Sequence, residues 1–302
     1  MSRQRTWFEA RRPIWMEKPG PLENALKVIA LVVITGLVIY PFWTVIATSL
    51  ADRADIARQG GLVLIPANPS FDAYRILLDG GIVTKALAVS IGITVVGTAV
   101  NLVMTIAFAY ALSRPSTVGH KPMLLLALFT MLFSAGIIPN FLLVKSLGML
   151  NSYAALIVPG MISAFNFVVM RNFFMNIPDE LIDSARIDGA SDLRILVSIV
   201  LPLSKAVIAV MGLFYAVEHW NSFFGALIYL NDTSMWPLSL VLRSYVLQGQ
   251  QATGVREAMD TLPPEQSVQM AVVVMALVPI LLVYPFLQKY FAKGVLTGAV
   301  KG

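Results

Sequence analysis

Long stretches without a single charge constrain this 302-residue chain more than any other feature. Val28 to Ala51 contains none, and neither do Ala86 to Ser113, Pro122 to Val144, Ser146 to Met170 or Gln266 to Gln288. A helix needs about 20 apolar residues to cross the hydrocarbon core of a bilayer, so each run predicts a membrane span. The run from Ser146 contributes its later part, because Gly148, Asn151 and Ser152 read as a loop. A sixth candidate, Pro202 to Leu230, is interrupted by Glu218 and His219. The expected spans are residues 28–51, 86–113, 122–144, 153–174, 202–230 and 266–288. Strands of a membrane barrel would alternate apolar and polar residues over about 10 positions, which these runs do not. The predicted fold is all-α and polytopic, with six transmembrane helices.

Composition points the same way. The chain is 57% hydrophobic and 13% charged, with a mean hydropathy of +0.76, whereas about a quarter of a soluble domain is charged. Zero cysteines exclude a disulfide framework, a thiolate nucleophile and a Cys-based metal site. Two histidines, His120 and His219, without a His-Glu-x-x-His pattern give no metal centre to predict. The first apolar run exceeds the 7–15 residue core of a signal peptide and reads as a retained helix.

The net charge of +5 serves orientation rather than nucleic acid. With six spans drawn, 15 of the 22 Lys and Arg fall on the side shared by both termini. They include the N-terminal group from Arg3 to Lys27, then Arg114 and Lys121, the four from Arg171 to Lys205, and Lys289, Lys293 and Lys301. By the positive-inside rule both termini are cytoplasmic. This gives a cytoplasmic segment, residues 1–24, and a single transmembrane domain, residues 25–302. Two long connections, Asp52–Lys85 and Asn231–Ser267, face outward and read as ordered caps. A third, Arg171–Lys205, faces the cytoplasm.

That third connection carries the densest signal. It contains Asn176-Ile177-Pro178-Asp179-Glu180-Leu181-Ile182-Asp183-Ser184-Ala185-Arg186-Ile187-Asp188-Gly189-Ala190. Asn176 is a candidate cap, Pro178 suits a first turn, and Asp179 and Glu180 oppose the positive end of a helix. Leu181, Ile182 and Ala185 form a narrow apolar stripe, with Asp183 and Arg186 on a polar flank. Gly189 supplies the positive φ that closes a helix. The expectation is a short amphipathic helix, then a second helical stretch from Ser191 to Val200. On pattern alone the first helix suits lipid headgroups as well as a protein partner.

Asp183-Ser184-Ala185, three residues, Gly189, nine residues and Ile199-Val200-Leu201-Pro202 resembles the Glu-Ala-Ala signature of ABC importer permeases. Arg186-Ile187-Asp188-Gly189-Ala190, flanked by Ile177-Pro178 and Leu201-Pro202-Leu203, is similar to the carbohydrate-importing, maltose-permease-like branch. Ser134-Ala135-Gly136-Ile137-Ile138-Pro139 and His219-Trp220-Asn221 resemble a sub-branch associated with complex oligosaccharides, aldouronates and pectin fragments among them. The resemblance runs from about Pro21 to Gly302 and implies a type I ABC importer permease in a bacterial cytoplasmic membrane. It implies partners too: a second homologous permease, cytoplasmic ABC ATPase subunits that bind ATP and Mg, and an extracytoplasmic sugar-binding protein. Within that resemblance, loop 175–201 couples to the ATPase through Asp183, Ser184, Ala185, Arg186, Asp188 and Gly189. Asp183 stands at the docking Glu, one methylene shorter, and Ser184 replaces the middle Ala. No Gly-x-x-x-x-Gly-Lys-Ser/Thr occurs in the sequence, so the chain is expected to bind no ATP of its own.

Ionisable residues within a span usually face the bundle interior or a water-filled cavity. Glu218, His219, Trp220 and Asn221 are therefore candidates for the translocation path. They also fit interhelical hydrogen bonds or an outer aromatic belt, and at most two of the four face the path. Ser90, Thr94, Thr98 and Asn101 read as a close-packing stripe. Pro41, Pro139, Pro159 and Pro279 are expected to kink or break their helices. A proton-coupled transporter using Glu218 and His219 is the alternative function; an intramembrane enzyme lacks a second acid at that depth.

Overall fold

The computed structural model describes residues 20–79, 81–248 and 263–298, and the regular elements among them are helical. They run α1 Pro21–Ser49, α2 Arg53–Gln59, α3 Asp72–Asp79, α4 Ile82–Leu112, α5 His120–Leu132, α6 Ile137–Ser146, α7 Ala154–Ile157 and α8 Ala164–Met175. Next come α9 Asp179–Ile187, α10 Asp192–Ile195, a π-helical turn Leu196–Val200, α11 Leu201–Leu203 and α12 Lys205–Trp220. The chain closes with α13 Phe223–Tyr229, a 3₁₀ turn Thr233–Met235, α14 Leu238–Gln248 and α15 Glu265–Gly298.

Three of these helices are each long and apolar enough to cross a bilayer: α1, α4 and the Glu265–Pro285 part of α15. Pro21 opens α1 with its φ already helical, and from Leu22 to Trp43 the apolar side chains stay exposed, as lipid-facing residues would. α1 packs along α15, and α12 lies along α4.

The other predicted spans are interrupted, which corrects their reading as continuous helices. Residues 122–144 divide at Phe133–Gly136 into α5 and α6, with Gly136 at φ 83°. Pro139 therefore falls in the first turn of α6, where its missing N–H loses nothing. Residues 153–174 divide into α7 and α8 around Pro159, which does break its helix. Residues 202–230 divide at Asn221–Ser222 into α12 and α13. Pro41 and Pro279, by contrast, lie inside unbroken helices. Hydropathy runs smoothly through all of these breaks, so apolar content alone could not locate them.

The segment after α1 is ordered, as expected. Asp52 accepts from Asp55 N–H at 2.7 Å to start α2. The buried Asp55 carboxylate then takes the Ala67 and Asn68 N–H groups at 2.8 and 3.3 Å and pairs with Arg58 at 2.9 Å. On the connection after α13, Asn151 Oδ1 accepts from Asn231 and Asp232 N–H at 3.1 and 2.9 Å. Residues 249–262 of that connection lie outside the described residues.

One apolar core joins the spans to the loop. Ala109 and Leu112 of α4, Phe167, Met170 and Phe174 of α8, and Val207 and Met211 of α12 enclose Ile177, Ile195 and Val200 from the loop. Beyond Leu203 the chain turns by 85° into α12, with Ser204 fully buried at the corner.

Candidate functional site

The loop helix forms where its local chemistry places it. Asp179 and Glu180 occupy the first turn of α9 and Arg186 the last, each opposing the helix dipole with the favourable sign. Asn176 is not its cap, contrary to expectation: it ends α8, where its side-chain amide donates to Asn172 O at 2.8 Å. The residue before α9 is instead Pro178, which makes no side-chain cap. The far end closes as a Schellman motif. Ala190 N–H reaches Ala185 O at 2.9 Å and Gly189 N–H reaches Arg186 O at 3.0 Å, with Gly189 at φ 77°.

The two faces of α9 differ. Ile182 and Ala185 turn inward onto the apolar core. Leu181, Asp183, Ser184, Arg186, Ile187 and Asp188 turn outward, and Ile187 is 86% exposed. Ala185 thus packs on its own chain, while Leu181 and Ile187 are the exposed apolar side chains of α9. Beside α9 lies a cleft of about 300 Å³, bordered by Tyr110, Arg114, Asp183 and Arg186. Asp183 and Arg186 approach to 3.9 Å across one turn.

Deeper in the bundle, α12 meets α4 through a ladder of polar side chains. His219 is buried, and its ring occupies the notch left by Gly97: a Cβ on Gly97 would lie 2.5 Å from Nε2. Asn101 Nδ2 stands 3.2 Å from that nitrogen and donates to Gly160 O at 3.3 Å. One turn away, Tyr215 Oη lies 2.7 Å from Thr105 Oγ1 and accepts from Ser163 N–H at 3.0 Å. Gly160 and Ser163 belong to the unwound stretch between α7 and α8, so side chains of α4 and α12 satisfy backbone groups that no helix pairs. In hydrocarbon such groups are tolerated only when the protein satisfies them or they line a water-filled cavity.

The four candidate path residues point in different directions. His219 faces α4, and Trp220 packs into the cluster of α3, α4, α14 and α15. Glu218 and Asn221 are exposed on this chain, with Asn221 Nδ2 donating to Val217 O at 2.9 Å. Glu218 and His219 leave α12 in different directions, which gives no support to a proton relay between them. The predicted stripe on α4 does pack helices: Ser90 Oγ accepts from Leu238 N–H at 2.7 Å, while the hydroxyls of Thr94 and Thr98 are enclosed with no hydrogen-bond partner among the described residues. Gly97, Thr105 and Tyr215 were missed from sequence. Their signal was present as Tyr215/His219 and Gly97/Asn101/Thr105, two matching runs at four-residue spacing.

Long apolar helices packed as a bundle, with a loop helix resting on its core, are the architecture of a multi-pass membrane protein. The chain belongs to the binding-protein-dependent transport system inner membrane component family, which it matches over residues 86–297, and it is the permease component of an ABC importer. It is 49% identical over 266 residues to the polygalacturonan/rhamnogalacturonan transport system permease protein YtcP of Bacillus subtilis (strain 168), covering 87% of this chain and 93% of that one. It is 46% identical over 286 residues to Protein LplC of the same organism, covering 94% and 97%. Its fold superposes with a TM-score of 0.83 on a chain of a bacterial ABC transporter involved in the import of the acidic polysaccharide alginate. That chain is 30% identical in sequence, and the match covers 91% of this protein and 100% of the other.

Proposed function

We propose that this chain is one half of the membrane pathway of a bacterial oligosaccharide importer, with uronate-containing fragments as the first substrates to test. The match along nearly the whole length of YtcP, whose name specifies polygalacturonan and rhamnogalacturonan, carries this reading; the fold shared with the alginate transporter favours it further. The chain crosses the cytoplasmic membrane six times, with the broken segments completing the spans and both termini inside. A second permease covers the exposed faces, an extracytoplasmic binding protein delivers the sugar, and separate ATPase subunits hold ATP and Mg.

In this reading α9 is the coupling helix. Asp183, Ser184 and Asp188, with Leu181 and Ile187, meet the ATPase; Ile182 and Ala185 anchor the helix to the bundle. Arg186 and Gly189 set its orientation and its end. Glu218 and Asn221, exposed on this chain, face the partner permease or the sugar path, whereas His219 and Trp220 hold the helices in register.

Purification from native membranes in mild detergent tests the assembly. Co-isolation of a second permease and an ATPase, whose turnover rises when the binding protein is loaded with a galacturonate oligomer, is the expected result. Isolation without an ATPase across several detergents would refute the class. Stimulation by neutral but not acidic oligosaccharides would refute the substrate.

A further inference from the structure

The loop helix is tied to α4 at a point that the Glu-Ala-Ala signature does not include. Asp192, the first residue of α10, lies between two guanidinium groups from different elements. Arg114, two residues beyond α4, approaches its Oδ1 at 3.4 Å, and Arg186 of α9 approaches the same oxygen at 3.7 Å. Arg114 is itself fixed: Nη2 donates to Tyr110 Oη at 2.6 Å, and the guanidinium stacks over that ring at 4.6 Å from its centre. Tyr110 Oη in turn donates to the Asp192 backbone carbonyl at 3.1 Å. One junction therefore gathers the end of α4, the coupling helix and the start of the segment that bends into α12.

We propose that Tyr110, Arg114 and Asp192 form a latch that transmits displacement of α9 to α4 and α12. The proposal rests on the coupling-helix reading above and names three positioning residues for it. Its geometry suits a part that must shift. The Arg114 side chain is only 16% exposed and held by the tyrosine, whereas Asp192 is 71% exposed. Exposed ion pairs are weak and exchange readily with water, so the pairing with Asp192 re-forms without a large barrier, while the Tyr110 hydrogen bond keeps the register.

The test uses the assembled transporter with Asp192→Asn, Asp192→Glu and Tyr110→Phe. Stimulated-to-basal ATPase ratio is measured together with deuterium uptake of residues 181–187. The latch predicts a three- to fivefold fall in the ratio for Asp192→Asn and Tyr110→Phe, in keeping with the modest strength of such contacts, and faster uptake in the loop helix. Asp192→Glu is expected to restore both. Tyr110→Phe separates the latch from a mere loss of helix-dipole stabilisation, since it leaves the first turn of α10 unchanged. A wild-type assembly with no stimulated turnover overturns the coupling reading and the latch together. A stimulated wild type whose variants match it in ratio overturns the latch alone, whether or not their uptake changes.

Discussion

α4 is gripped in two places, and the grips differ in kind. Near the middle of the bundle α12 is locked to it by burial: the His219 ring fills the Gly97 notch, and Tyr215 reaches both Thr105 and Ser163. At the loop end, Asp192 of α10 is held by Arg114, just beyond α4, at 3.4 Å and by Arg186 of α9 at 3.7 Å, and both Asp192 and Arg186 are exposed. Interhelical hydrogen bonds in membranes average only about 0.6 kcal/mol, and exposed ion pairs about 0.2–1 kcal/mol, so polar contacts alone do not separate the two grips. Steric fit does. The deep contact has one arrangement and no slack, whereas the loop contact tolerates adjustment. A transporter that must move its lever without dissolving its bundle needs both.

The largest expected effect breaks the deep grip. Gly97→Val places carbon within 2.5 to 2.7 Å of the His219 ring, where overpacking costs about 1–3 kcal/mol. Thermal unfolding of the purified complex should show a lower midpoint, and Gly97→Ala a smaller loss. Unchanged stability in both would mean that the helices slide freely and the contrast with the loop is unfounded. Next comes Gly189→Val. Among the described residues nothing lies within 4 Å of a Cβ there, so the expected effect is backbone strain at φ 77°, about 1–2 kcal/mol. Membrane insertion should persist while stimulated ATPase is lost, and Gly189→Asn should retain more of it than Val.

Tyr215→Phe removes the hydroxyl that accepts from Ser163 N–H and should cost about 1 kcal/mol in the same unfolding assay. A null result there would leave the Gly97–His219 fit as the sole deep lock. Asp183→Arg is expected to change stability least, within about 0.5 kcal/mol, since the side chain is exposed. It should nevertheless abolish co-purification of the ATPase or its stimulation, and retention of both would remove Asp183 from the docking surface.

Much of this was legible in the residues, for physical reasons that also mark where reading fails. Uncharged runs announce burial in lipid, and α1 and α4 match their runs closely. The Gly189 turn was readable because only a left-handed residue ends a helix that way. The break at Pro159 was expected from the proline, whereas those at Phe133–Gly136 and Asn221–Ser222 were not placed, because what licenses a break is the neighbouring helix that satisfies it. Asn176 was misassigned by two competing roles: an Asn can begin one helix or finish another, and here the preceding helix claims it. Arg114 and Asp192, 78 positions apart, share no local pattern that would pair them.

The unwound stretch between α7 and α8 also bears on how the chain is made. Ser163 N–H depends on Tyr215, 52 residues later in the sequence. At a synthesis rate of about 5–20 residues per second, that donor waits roughly 3–10 s for its acceptor to emerge. An unpaired amide in hydrocarbon costs several kcal/mol, so during this interval the segment is better kept beside the insertion machinery than released into lipid. Order of emergence, as much as final geometry, then decides whether this break becomes part of a bundle or a site of quality-control recognition.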